Sequence, residues 1–188
     1  MTHECQVGVV LTGGASRRMG VDKSTMVVGG KPMAVRVADA LWEAGCHPVE
    51  CQGGDRMAIA EYGLEAHPDT RPGDGPVAAI LDALVRHDGS NVVVAACDLV
   101  DLDGDTVRAL IEAGRGGDGV DVAVAATHGD RQLIAWWRAG TAERLGALSS
   151  GGVTSFRDAL ARLHTVEVEA APEATRNVNS PGDVDACG

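Results

Sequence analysis

The chain predicts a single three-layer α/β/α domain, residues 1–188, built on a mostly parallel sheet. Three observations carry this. Val7–Leu11 and Val92–Ala96 are unbroken apolar runs, the pattern of strands buried on both faces, and Val120–Ala126 reads as another strand. Segments with helical period separate them, giving the β-α alternation of a sheet covered on two sides. Aromatics are scarce (one Phe, one Tyr, three Trp), so Val, Leu, Ala and Ile must build the core, and they suit such strands.

The elements follow in order. Val7–Leu11 opens as a strand and runs into a polar, glycine-rich loop. A short Met26–Val28 segment ends in the turn pair Gly29-Gly30. Pro32 suits the first turn of a helix, and Val35, Val37, Ala38, Leu41 and Trp42 carry that helix to Gly45. His47–Cys51 reads as a second strand, Met57–Tyr62 as a short helix and Leu64–His67 as a third strand. After the loop Pro68–Gly75, Pro76–Val85 is helical with Val77, Ile80, Leu81 and Leu84 on one face. Asn91–Cys97, with Val92-Val93-Val94-Ala95-Ala96 unbroken, is the clearest strand. A helix over Val107–Ala113, a strand over Val120–Ala126 and a partner strand over Arg131–Trp137, open to an antiparallel arrangement, come next. Helices near Ala142–Leu148 and Ser155–Leu163 precede a last strand, Thr165–Val168. Alternation along Trp136-Trp137 would send one ring into the core and the other toward solvent or a pocket, while the size of the rings favours core or surface cover for each.

At 188 residues and net charge −11, the chain has a core of ordinary size and no basic face for nucleic acid. No hydrophobic run reaches membrane length and no signal-type pattern opens the sequence, so the expectation is a cytoplasmic protein with no membrane partner. Five cysteines without framework spacing fit a reducing compartment. Cys46-His47 and Cys51 flank a strand with no second ligand pair nearby, which favours small buried residues over a metal site.

The richest segment is Leu11–Ser24, LTGGASRRMGVDKS. Gly13 and Gly14 let backbone N–H groups close on an anion with no Cβ in the way. Arg17, Arg18 and Lys23 face only Asp22, so the loop is locally positive on an acidic protein, an arrangement that favours a small polyphosphate. Spacing excludes the P-loop, because Lys23-Ser24 follows Asp22 rather than glycine, and the dinucleotide fingerprint, because the glycines fall too far apart. The remaining pattern, L-x-G-G-x-S-x-R-M-G-x-D-K, closely resembles the signature loop of the nucleotidyltransferases, and within them the molybdenum cofactor guanylyltransferases. The resemblance implies a Rossmann-like nucleotidyltransferase fold.

Ligands of open α/β sheets sit beyond the carboxyl ends of the strands. Asp98, ending the strongest strand in AACDLVDL, is an oxygen ligand of the kind Mg²⁺ takes alongside phosphates and water. It also resembles the family's metal-binding aspartate, although Val100 replaces the proline usual two residues on. In HPDTRPGDGPVAAI, Asp69 falls on a nucleotide-contacting aspartate of the family, and Ala79 replaces a family glycine. Gly53 in QGGDR stands where an asparagine commonly contacts the nucleoside. Gln132 falls on a family Q-P-L segment, with Leu133 for the proline. Asn177 and Asn179 fall on the terminal N-I-N-T-P pattern, and with Gln132 they are the expected acceptor contacts.

The resemblance implies a Mg²⁺-dependent enzyme that joins GMP from GTP to molybdopterin cofactor and releases pyrophosphate. Catalysis falls to Arg18, Lys23 and Asp98. Nucleotide binding falls to Leu11, Thr12, Gly13, Gly14, Arg17, Lys23, Gly53, Asp69 and Asp98, with Leu11 and Thr12 offering backbone groups to a base edge. Transient contact with molybdoenzymes or cofactor-delivery proteins fits that role. The alternatives are CTP or another phosphorylated acceptor, and an adaptor without turnover. The departures at Gly53, Ala79, Val100 and Leu133 support the adaptor, and Arg18, Lys23 and Asp98 together oppose it.

Overall fold

The computed structural model describes residues 6–13 and 23–178. The strands are β1 (Gln6–Leu11), β2 (Val27–Val28), β3 (Lys31–Pro32), β4 (Val49–Gln52), β5 (Glu65–His67), β6 (Asn91–Ala96), β7 (Val122–Thr127), β8 (Asp130–Trp137) and β9 (Thr165–Glu169). The helices are α1 (Met33–Glu43), α2 (Arg56–Ala60), α3 (Pro76–Arg86), α4 (Gly104–Gly116), α5 (Thr141–Ser150) and α6 (Phe156–Leu160). Among the described residues seven strands form one sheet in the order β5-β4-β1-β6-β8-β7-β9. β8 runs antiparallel to both of its neighbours and every other pairing in the sheet is parallel.

Strand alternation divides the core in two. Val7, Val9 and Leu11 of β1 join Val92 and Val94 of β6 against α3, α5 and α6. Val10, Val93 and Ala95 face the other way, against α1, α2 and α4. Gly8 also faces α1, where a Cβ would come within 3.1–3.2 Å of Cys46, Val49 and Leu41. The three-layer expectation therefore holds.

Both faces being covered places both tryptophans in the core. Trp136 and Trp137 do point to opposite faces, but each is buried, at 1% and 0% exposure. Neither ring reaches solvent or a pocket. Trp136 donates its indole N–H to Gln6 Oε1 at 2.9 Å, which satisfies that buried polar atom.

Two local expectations shift. Gly29 and Gly30 take φ of +56° and +81°, the left-handed pair a two-residue hairpin turn needs, and so join β2 to an antiparallel β3. Pro32 ends that strand and stands at the N-cap of α1 instead of inside its first turn. α4 begins three residues before the apolar stretch, because Asp103 caps it by accepting from Thr106 N–H at 2.7 Å.

Candidate active site

β1 pairs with β4 on one side and β6 on the other, so the sheet order reverses around it. A crevice opens beyond the carboxyl ends of strands at such a switch point. The chain brings Thr12-Gly13, Gln52-Gly53, Pro68-Asp69 and Asp98 to that one edge, at the ends of β1, β4, β5 and β6. β8, being antiparallel, starts there: Ile134 sits opposite Ala95, and Gln132 lies two residues nearer the edge. Gln132 is half-buried and donates to the carbonyl of Asp130 at 3.1 Å.

Gly13, Gly53 and Asp69 pack into a floor with no space for a side chain. A Cβ on Gly53 would lie 2.7 Å from both N and Cα of Gly13, and one on Gly13 would lie 2.5 Å from Asp69 Oδ2. Gly53 also holds φ at +82°. The asparagine that the resemblance expects at 53 thus has no room here, and glycine follows from the close approach of two backbones. The backbone groups around it are already engaged. Thr12 N–H and Gly13 N–H both donate to Gln52 O (2.9 and 3.1 Å), and Leu11 O accepts from Cys97 N–H at 3.2 Å. The Thr12 hydroxyl turns inward to the carbonyls of Gln52 and Gly53. These groups of Leu11, Thr12 and Gly13 tie strand ends together at the floor of the crevice.

At the end of β6, Lys23 Nζ stands 4.0 Å from Asp98 Oδ2 and donates to Val178 O at 3.2 Å. Residues 23 and 98 come from distant parts of the chain, and the C-terminal segment joins them: Val178 N–H donates to Asp98 O at 3.0 Å. Val178 packs with Val28, Met33 and Val100, so the departure at Val100 is a buried apolar contact beneath this segment. Asp101 is gripped by Arg36 (3.4 Å) and Arg176 (2.5 Å). The exposed Asn177 lies between Arg176 and Val178. Burial pushes the Asp98 carboxyl above the usual carboxylate range, and the Lys23 ammonium offsets this only in part.

A lone, partly buried carboxylate with 24% side-chain exposure fits a Mg²⁺ ion that takes one or two protein oxygens and finds the rest in phosphate and water. Among the described residues no group of three His, Cys, Asp or Glu side chains gathers to form an all-protein metal cage. Cys46 and Cys51 are buried free thiols, and burial pushes Cys46 up to about 12, which disfavours the thiolate a metal needs. Gly14, Arg17, Arg18 and Asn179 lie outside the described residues. The residues that sequence reasoning missed are Gln52, Glu50 and Arg86; their one signal was two polar residues at alternate positions of the strand VECQ.

The model of the MobA-like NTP transferase domain matches residues 8–166. The chain belongs to this family. MobA-like relatives span nearly its whole length. The molybdenum cofactor guanylyltransferase of Cereibacter sphaeroides is 30% identical over 182 residues, covering 94% of this chain and 92% of that protein. A probable enzyme of the same name from Mycobacterium marinum is 31% identical over 190 residues, covering 95% and 91%. Among solved structures, molybdopterin-guanine dinucleotide biosynthesis protein A from Archaeoglobus fulgidus superposes with a TM-score of 0.76 at 22% identity, covering 97% and 96%. A CTP-complexed CMP:2-keto-3-deoxy-manno-octonic acid synthetase superposes at 0.72 with 15% identity, covering 97% and 96%. At those identities the two structures establish the fold alone. As a MobA-like NTP transferase, the protein is a nucleotidyltransferase.

Proposed function

We propose that this MobA-like protein transfers GMP from GTP to molybdopterin cofactor in a Mg²⁺-dependent reaction. The observation that carries the reading is the meeting of Lys23 and Asp98 at the end of β6, beside the turn that leaves β1. An oxygen of the acceptor's terminal phosphate attacks the α-phosphorus of GTP. The bond from that phosphorus to the β-phosphate oxygen breaks, and pyrophosphate leaves with the electron pair. The acceptor phosphate is already ionised, so no general base is needed.

The protein's part is positioning and charge, which supply most of the rate in phosphoryl-type transfers. Lys23 faces the α-phosphate side, where negative charge moves during attack. Arg18, with Arg17 as second choice, neutralises the departing pyrophosphate, and Gly14 with the residues after it holds the phosphates. Asp98 would hold the Mg²⁺, which when bound neutralises and aligns phosphate oxygens. Asp69 contacts the nucleoside over the Gly13–Gly53 floor. Gln132, Asn177 and Asn179 serve the acceptor. Pyrophosphate release from GTP, CTP or ATP, each with molybdopterin cofactor and Mg²⁺, tests the whole reading. GTP leading supports it; CTP leading moves the assignment to cytidylyl transfer, and no release with any nucleotide rejects transfer to this acceptor.

A further inference from the structure

Behind the Gly13–Gly53 floor lies a run of buried polar side chains that transfer chemistry leaves unused. Glu50 and Gln52 alternate on β4 and so share one face of the sheet, at 5% and 0% exposure. Glu50 Oε1 accepts from Arg86 Nε at 2.8 Å and lies 2.8 Å from His87 Nε2; its other oxygen lies 3.2 Å from His67 Nε2. The Arg86 guanidinium forks, and its Nη2 donates to Gln52 Oε1 at 2.5 Å. Gln52 Nε2 then donates to Pro68 O at 3.0 Å and to Asp69 Oδ1 at 3.3 Å.

The chemistry fixes the direction of this relay. Arginine only donates, so the Gln52 oxygen must face Arg86 and its NH₂ must face Asp69. Burial pushes the Glu50 carboxyl up, but hydrogen bonds from His87 and Arg86 together outweigh it and hold the group below its ordinary range. Glu50 therefore stays anionic and keeps Arg86 in place. Burying two such side chains disfavours folding unless every atom is paired. A leucine pair would fill β4 more simply.

We propose that Gln52, oriented by Arg86, is a positioning residue for nucleotide recognition, holding the Asp69 carboxylate over the Gly13–Gly53 floor so that it meets the nucleoside. This rests on the reading of Asp69 as a nucleotide contact. The relay runs from the C-terminal end of α3 to the site, so it makes a residue remote from the phosphates govern affinity.

The test is GTP affinity with Mg²⁺, by calorimetry, in Gln52→Met, Asp69→Ala and the double variant. A hydrogen bond to a charged group contributes about 1.5–3 kcal/mol, so Gln52→Met is expected to raise Kd about 10-fold or more. In the Asp69→Ala background the same change is expected to stay within about two-fold, because coupled residues are not additive. Equal losses in both backgrounds, or no loss in either, overturn the proposal. Should Gln52→Met not fold, Arg86→Lys replaces it: lysine keeps the charge for Glu50 but cannot fork to both partners, and the same dependence on Asp69 is expected. A nucleotide-free readout stands beside this. The Gln52 side-chain NH₂ resonances should shift in Asp69→Ala and in Arg86→Lys, and unshifted resonances reject the relay itself. Wild-type protein that binds no nucleotide overturns the transfer reading together with this role. Wild-type binding with equal losses overturns this role alone.

Discussion

Lys23 and Asp98 illustrate how a single position can be set against stability. The Asp98 carboxyl is pushed up by burial, with Lys23 only partly offsetting it, so the folded protein binds that proton more tightly than the unfolded chain. Such a group favours folding at low pH, and its contribution is lost as pH rises through the raised folded value. At neutral pH the ionised Asp98 is thus a net cost to the fold. Asp98→Asn should raise the melting temperature at pH 7 while removing the Mg²⁺ response of GTP binding. A variant with lowered melting temperature, or one that keeps its Mg²⁺ response, contradicts the assignment. Lys23→Ala should lower the melting temperature slightly, since Asp98 loses its facing cation and Val178 O a donor, and lower turnover by about 10²–10³, the usual loss for one transition-state charge partner. Steady-state kinetics on the purified variant checks it. Gly53→Ala meets the Gly13 backbone at 2.7 Å and keeps a strained φ. Strain of that kind costs about 1–3 kcal/mol, which denaturant unfolding should detect.

Helix α4 shows one element depending on a missing side chain. Gly114 is buried in the helix interior, where alanine would ordinarily add about 1 kcal/mol through propensity. Here, however, a Cβ would lie 2.0 Å from Cε3 of Trp136, a ring that is itself 1% exposed and hydrogen-bonded to Gln6. Neither ring nor helix can yield cheaply, and overpacking costs about 1–3 kcal/mol, so the clash wins. Gly114→Ala should destabilise by up to about 2 kcal/mol net in urea unfolding; a stabilised variant would show that α4 slides freely on the sheet. At its other end α4 starts where Asp103 caps it, and Asp103→Ala should remove about 1 kcal/mol.

Across the whole molecule the sheet presents two edges, and both are defended. β5 has three residues, and β9 alternates with Glu167 and Glu169, Glu167 being paired with Arg131. Short and charged edges discourage pairing with another chain. Ligand binding to the folded state stabilises the entire domain by mass action, by about 2.7 kcal/mol at a hundred-fold excess over Kd. Thermal melts with GTP, CTP and ATP in Mg²⁺ should therefore rank the nucleotides, with GTP giving the largest shift. Equal shifts would defeat guanine preference while leaving nucleotidyl transfer standing. On the acid side, Glu50 is held below its ordinary range, so its contribution is full above the unfolded carboxylate value and is lost as pH falls through the lower folded one. Glu50→Gln should accordingly lower stability at pH 7 and flatten the loss on acidification.

The sequence by itself determined the layering and nearly every element, because buried parallel strands and amphipathic helices leave local patterns. Val92–Ala96 could form little else. It also pointed to Leu11–Ser24 and Asp98 as chemistry-bearing segments, since glycine turns and strand-end carboxylates are written locally, and to Asp69 through the family resemblance. Tertiary structure alone decided the rest. That both tryptophans are covered depends on helices contributed by both faces of the sheet. That Gly53 must lack a side chain follows from the approach of Gly13, forty residues earlier. The Leu11 carbonyl and the Thr12 and Gly13 amides are engaged because β4 and β6 lie beside β1. Asp69 rests on Gln52 and Arg86 because β4 and α3 converge beneath the floor. Hydrogen bonds and close contacts between residues far apart in the chain have no period and no motif; only the packing of the sheet brings them together.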